Sequence, residues 1–233
     1  MKSYFILRNK IFAWQFLKIV RILYLAIGYL LMLSCSAAVP EEEVRECYQK
    51  PYRFESSKDY EEAIKAIMPV HSAHPQGYTV NLRLGWLNYL NGNYGSSKNY
   101  YQAAMKVAPS SIEAKLGYTL PLLALERYEE TEIITKQIMR IDASNYYANL
   151  RFAFALRMQK KYEPAEEVLN RMLLLYPTDI KFLLESGLVK VAQNQMDSAR
   201  KIFNEVLILD PENATAKAYA NGSVKNSETK SKP

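Results

Sequence analysis

Small and apolar residues along the chain fall into helical triplets. Ala63-Ile67-Val70, Ser97-Tyr101-Ala104, Ala165-Leu169-Met172 and Ala199-Phe203-Val206 are each spaced i, i+4, i+7, which sets all three on one helical face. The small first member lets a neighbouring helix come close, and the larger members fill the space beyond it. The triplets themselves recur. Tyr60, Tyr94, Tyr128 and Tyr162 stand at one constant interval, with Met196 next in phase. Pro75, Pro109, Pro177 and Pro211 keep the same 34-residue interval, with Ala143 in the one gap. Three residues after each tyrosine-phase position comes Ala63, Ser97, Thr131, Ala165 or Ala199; nine residues before three of those positions comes Gly85, Ala153 or Gly187. Four registers that keep one interval over five copies define an internal repeat.

Each copy reads as two helices. Proline stops a helix but suits the first turn of the next, so the proline series closes one unit and opens another. Ser110-x-x-Glu113 has the form of a capping box, and Asp142, Thr178 or Asp179, and Asp210 are placed to cap later helices. Asn91-Gly92-Asn93 is a turn between the helices of one unit. Nothing alternates with the two-residue period of a strand, and the expected class is all-α.

Leu84-Gly85, Gly92, Tyr94, Tyr101, Ala104 and Pro109 together resemble the tetratricopeptide repeat, over residues 44–221. The resemblance implies a right-handed α-solenoid of about five helix-turn-helix units, near 44–77, 78–111, 112–145, 146–179 and 180–213, with a closing helix at 214–220. Residues 39–43 form a lead-in, and the polar stretch 222–233 reads as a disordered tail. Asn81 and Asn88 stand where the family favours Trp and Tyr. Pro51 and Pro69 predict a degenerate first unit with a broken first helix, and Pro121 predicts a kink in the first helix of unit three.

Charge changes the picture at the N-terminus. Residues 1–40 hold Lys2, Arg8, Lys10, Lys18 and Arg21 and no acid, which is +5 of the formal +6; from Glu41 onward the chain sums to +1. The basic balance therefore does not describe a nucleic-acid surface on the repeats, and no nucleic-acid partner is expected. After Arg21 come twelve uncharged, mostly apolar residues, Ile22 to Leu33, and then Ser34, Cys35, Ser36, Ala37 and Ala38. This order fits residues 1–38 as a signal peptide or membrane anchor. Leu33-Ser34-Cys35 resembles a lipobox with Cys35 as the lipidation site, and Ser36 and Ala38 suit cleavage after Ala38. The uncharged run Ile22–Pro40 also approaches the length of a span, and the acid-free leader admits a mitochondrial transit peptide. The expected location is exported and membrane-associated or periplasmic, with a single-pass anchored or mitochondrial protein as the alternative.

In the tetratricopeptide family the first helix of each unit lines a concave surface that holds a partner's peptide or helix. Carried over, that frame picks Leu82, Trp86 and Tyr89; Leu116, Leu120 and Leu123; Tyr147, Leu150, Phe154 and Arg157; and Leu184, Leu188 and Val191. The Lys and Asn of the chaperone-type carboxylate clamp are replaced by Leu and Trp, so the expected groove is apolar and aromatic, with Arg83 and Arg151 nearby. The competing reading is that the leucines pack between repeats, or against segment 39–58. The partner is a protein or peptide, and self-association is a further option.

Catalysis finds no support. The chain's 2 Cys cannot by themselves build a tetrahedral zinc site and its 2 His leave little material for metal ligation, and it has no Gly-rich phosphate loop, nucleophile elbow or Cys-x-x-Cys. His71 and His74 read as cations at a helix end, and no cofactor or metal is expected. The expected function is a non-catalytic scaffold in an exported or membrane-associated assembly. The alternatives are a chaperone-like helper of an envelope machine, or a self-assembling scaffold.

Overall fold

The computed structural model describes residues 41–220. They form eleven α-helices: α1 (Glu41–Ser56), α2 (Tyr60–Ala73), α3 (Tyr78–Leu90), α4 (Tyr94–Val107), α5 (Ile112–Ala124), α6 (Tyr128–Met139), α7 (Tyr146–Met158), α8 (Tyr162–Leu175), α9 (Ile180–Ala192), α10 (Met196–Leu209) and α11 (Ala214–Ala220). All packing described below belongs to the unit that begins at Arg45. The leader with its lipidation candidate Cys35, and the tail 222–233, lie outside the described residues.

Helices pair in order, and each pair stacks on the next. The first helices also touch across units, α3 with α5, α5 with α7 and α7 with α9, whereas no two second helices pack comparably. The stack is therefore tighter on the first-helix side. Its core is a chain of four apolar clusters, one of which spans the junctions on both sides of unit three, as expected of a fold built from near-neighbour contacts.

The 34-residue registers have physical causes. Gly85 lets the Tyr101 ring pass so close that a Cβ there would sit 2.8 Å from it, and at Gly117, on the other side of the same ring, the gap is 2.1 Å. Gly187 faces Phe203 in the same way, at 2.7 Å. The aromatic residue of the second helix therefore needs glycine on the first. Where the first helix carries Ala153 instead, the second carries the smaller Leu169, and both are fully buried. The turns follow one pattern as well. Lys58, Gly92, Glu126, Lys160 and Asn194 each adopt a left-handed φ between 58° and 77° to end the first helix of their unit. Only one of the five is the glycine that this conformation favours.

Several sequence expectations shift. Helix α1 runs unbroken through Pro51, and α2 through Pro69. A proline deletes one backbone bond, and packing outweighs it: Pro51 itself is buried. Helix α5 likewise continues past Pro121, which sits in its last turn and is buried. The lead-in is helical from Glu41. The α5 cap is Ser111 rather than Ser110, its hydroxyl accepting from the Ala114 amide at 3.1 Å. Asp142 and Asp210 do not cap. Each accepts from the Asn three residues on, at 3.0 Å, and that residue, Asn145 or Asn213, is the cap. Asp179 caps α9 directly, accepting from the Lys181 and Phe182 amides. Asn81, where the family favours Trp, donates to the carbonyls of Pro75 and Gly77 at 2.8 Å and ties down the turn before α3.

Candidate functional site

The residues chosen from sequence lie on α3, α5, α7 and α9, the first helices, but their exposure divides them. Tyr147 is exposed at 49%; Leu82, Trp86, Tyr89, Leu116, Leu120, Leu150, Leu184 and Val191 are half-buried. Phe154, Arg157 and Leu188 are buried at 7–8%, and Leu123 is buried as well. Phe154 packs edge-on to Tyr128 and under the Arg157 guanidinium, 5.0 Å from its ring centre.

Polar groups on this face are arranged in pairs between neighbouring first helices. On α1 and α3, Arg83 bonds the Glu55 carboxylate through Nη2, and Trp86 Nε1 donates to the other Glu55 oxygen at 2.8 Å. The same guanidinium lies over the Tyr52 ring, with Cζ 4.0 Å from the ring centre. On α7 and α9, Arg157 donates through Nε and Nη2 to the two oxygens of Glu185, at 2.6 and 3.3 Å. Both partners are buried, so this side-on fork is a desolvated ion pair. In both pairs the residues are 28 positions apart, with acid and base exchanged.

Arg151 on α7 differs. Its Nη1 donates to the Leu116 carbonyl at 2.6 Å and to the Thr119 hydroxyl at 2.8 Å. Among the described residues no carboxylate pairs with it. Burial holds the guanidinium below its ordinary value, and the oxygens of Tyr89, Tyr101 and Tyr147 act against that shift. The exposed Tyr147 ring has two cations near it, Arg151 Cζ at 5.5 Å and Lys181 Nζ at 5.9 Å from its centre. Burial also raises Tyr101 and Tyr89, so both hydroxyls stay protonated and can act as hydrogen-bond donors near neutral pH.

Two further contacts hold the first helices in register. Tyr78 meets the Ser111 hydroxyl at 2.8 Å, and Tyr146 donates to both oxygens of Asp179 at 3.0 and 3.1 Å. Tyr78 and Tyr146 stand two repeats apart, and so do their partners. Asn81-Leu82-Arg83 recurs as Asn149-Leu150-Arg151 at the same interval, and both asparagines bond two carbonyls of the preceding turn. Units two and four thus share this triplet and the contacts around it. The single repeat period hides this double period in the sequence, and it leaves Glu55 and Tyr52 out of the site. The doubled Asn-Leu-Arg triplet is the signal that pairs Arg151 with Arg83.

His71 stacks edge-on with Tyr100 at 5.3 Å in the last turn of α2. Among the described residues no three potential metal ligands gather, and no helix is long and apolar enough to cross a membrane.

No family profile and no curated protein sequence matches the chain. Solved structures do match. A tetratricopeptide repeat protein from Parabacteroides merdae ATCC 43184 superposes with a TM-score of 0.67 at 17% identity, over 78% of this chain and 72% of that one. MamA from Desulfovibrio magneticus RS-1 gives 0.67 at 15%, over 76% and 99%. The thermophilic protein TTC0263 from Thermus thermophilus gives 0.60 at 13%, over 79% and 99%. Together with paired helices that repeat at one constant interval, these likenesses give this chain the tetratricopeptide-repeat fold, an α-solenoid.

Proposed function

We propose that this chain is a non-catalytic scaffold that holds a segment of a partner protein along its first-helix side. The observation that carries the reading is the row of half-buried to exposed aromatic and aliphatic side chains there, Trp86, Tyr89, Leu116, Tyr147 and Leu150, set on helices locked together by polar pairs. Rigid helices that present apolar anchors beside fixed polar groups are suited to recognition. Phe154, Arg157 and Leu188 serve this surface from beneath, as its support. A benzophenone side chain at position 147, photolysed in the native host, tests it. Covalent adducts with a small set of proteins are expected there, and none from position 133 on the second-helix side. The same products from both positions would exclude the groove.

One observation favours self-association as a second reading. Val107, Ile141, Leu175 and Leu209 recur at the repeat interval in units two to five, at or just past the ends of the second helices, and they are exposed at 41–55%. An apolar row of that regularity suits a second copy. Sedimentation that stays monomeric across a hundredfold range of concentration would remove this reading. We further propose that residues 1–38 export the chain and hold it at a membrane, through Cys35 or an uncleaved anchor. The intact mass of the mature N-terminus decides among cleavage, lipidation and retention.

A further inference from the structure

Resting on the groove reading, we infer that Arg151 is the anchor for an aspartate or glutamate side chain of the bound partner segment, with Tyr147 receiving an apolar or aromatic side chain next to it. The structure contains its own template for this. Arg83 and Arg151 occupy the same place in the doubled Asn-Leu-Arg triplet, two repeats apart. Arg83 is occupied by the Glu55 carboxylate, supplied by the preceding first helix, with the Tyr52 ring against the guanidinium. Arg151 has a ring from its own helix instead, Tyr147 at 5.5 Å, where Leu120 stands at the position of Tyr52, and it lacks the carboxylate. The preceding first helix has Leu123 at the position that corresponds to Glu55, so the chain supplies no acid there.

The donors left over match the proposed occupant. Arg151 spends Nη1 on Leu116 and Thr119, which fixes the plane of the guanidinium. Nε and Nη2 have no acceptor among the described residues, and neither nitrogen is sealed from solvent without a partner, as Arg83 Nε is. Those two nitrogens form the edge that Arg157 uses to grip both oxygens of Glu185. A carboxylate arriving at Arg151 can therefore be held side-on by two parallel bonds, in a geometry the protein already builds once. Lys181 Nζ, 5.9 Å from the centre of the Tyr147 ring, adds positive charge nearby. A partly buried cation without a counter-ion gains more from an incoming anion than an exposed one does.

The test is a selection of random dodecapeptides displayed on phage against the full chain, run in parallel on Arg151→Glu. Wild-type selections are expected to fix Asp or Glu at one position beside an apolar or aromatic residue, and Arg151→Glu selections to replace that acid by Lys or Arg. Arg151→Lys keeps the charge and loses the fork, and it covers the case in which the Glu variant fails to fold. It should weaken the selected acidic peptide by about tenfold or more, with unchanged helical circular dichroism. Apolar peptides without a fixed acid, or an acid indifferent to position 151, would overturn the carboxylate anchor and leave the groove standing. Failure of the folded wild-type chain to select any peptide would overturn the groove and the anchor together.

Discussion

Two arginines in one repeated triplet meet different surroundings. Arg83 lies between Glu55, Tyr52 and Trp86, with its charge balanced inside the chain. Arg151, from the same triplet two units on, is fixed through one nitrogen to a carbonyl and a hydroxyl and has no acid beside it. The difference lies in the preceding helix, where Glu55 in one case corresponds to Leu123 in the other. A repeat protein can thus hold one side chain in one frame and change its partners by changing the neighbouring helix. Both arginines tie two first helices together, Arg83 through an ion pair and Arg151 through two hydrogen bonds from Nη1, and only Arg151 lacks a carboxylate among the described residues.

If the paired sites are structural joints, emptying one should carry the largest penalty. Glu185→Ala leaves Arg157 charged and buried with no partner, and a loss of about 3–5 kcal/mol is expected in urea unfolding. A loss under about 1 kcal/mol would mean that water reaches the pair and that it is no joint. Glu55→Ala is the milder version because Glu55 is only partly buried, and about 2 kcal/mol is expected. The same variant sharpens the contrast, since it makes Arg83 resemble Arg151. An acidic peptide bound once by the native chain should then find a second site, read as stoichiometry by calorimetry.

Most of the fold was legible in the sequence because a repeat writes its packing rule several times. Gly85 with Tyr101, Ala153 with Leu169 and Gly187 with Phe203 show one volume divided differently between two helices, and that is a pattern of residue sizes. The caps were less legible. Ser110 and Ser111, or Asp142 and Asn145, are each chemically able to cap, and the turn geometry decides between them. The expected break at Pro51 failed for a related reason, since a local rule was outweighed by burial of the ring. The site was legible only in part. The single-repeat frame names candidates on the first helices, yet it could not separate Phe154, buried beneath Arg157, from Tyr147, exposed beside Arg151, because both are aromatic residues on one helix. Charge partners between first helices were the least legible. Glu55 meets Arg83 at a separation of 28 in sequence, which matches neither the helical period nor the repeat.

Arg151→Met separates the two classes from the other side. It removes two hydrogen bonds and leaves no charge stranded, so about 1 kcal/mol of stability is expected to go, together with capture of acidic peptides. A loss as large as that of Glu185→Ala would place Arg151 among the joints and end the distinction. The smallest effect concerns what holds the junction of units three and four without an ion pair between first helices. Glu132 on α6 accepts from Lys136 at 2.6 Å and, across the junction, from Lys161 at 2.9 Å and Gln159 at 3.0 Å. Burial pushes its carboxyl up, but the three donors outweigh it and hold the group down at about 2, against an ordinary value of 4.5. A carboxylate lowered on folding contributes stability that is fully present above pH 4.5 and is lost as the pH falls through 2. Both lysines are about half exposed, which limits the contribution to about 1 kcal/mol. Unfolding free energy measured from pH 6 down to 2 should therefore fall less steeply in Glu132→Gln than in the native chain. Parallel curves would show that the clasp does not hold this junction, and that Arg151 and the buried apolar residues carry it alone.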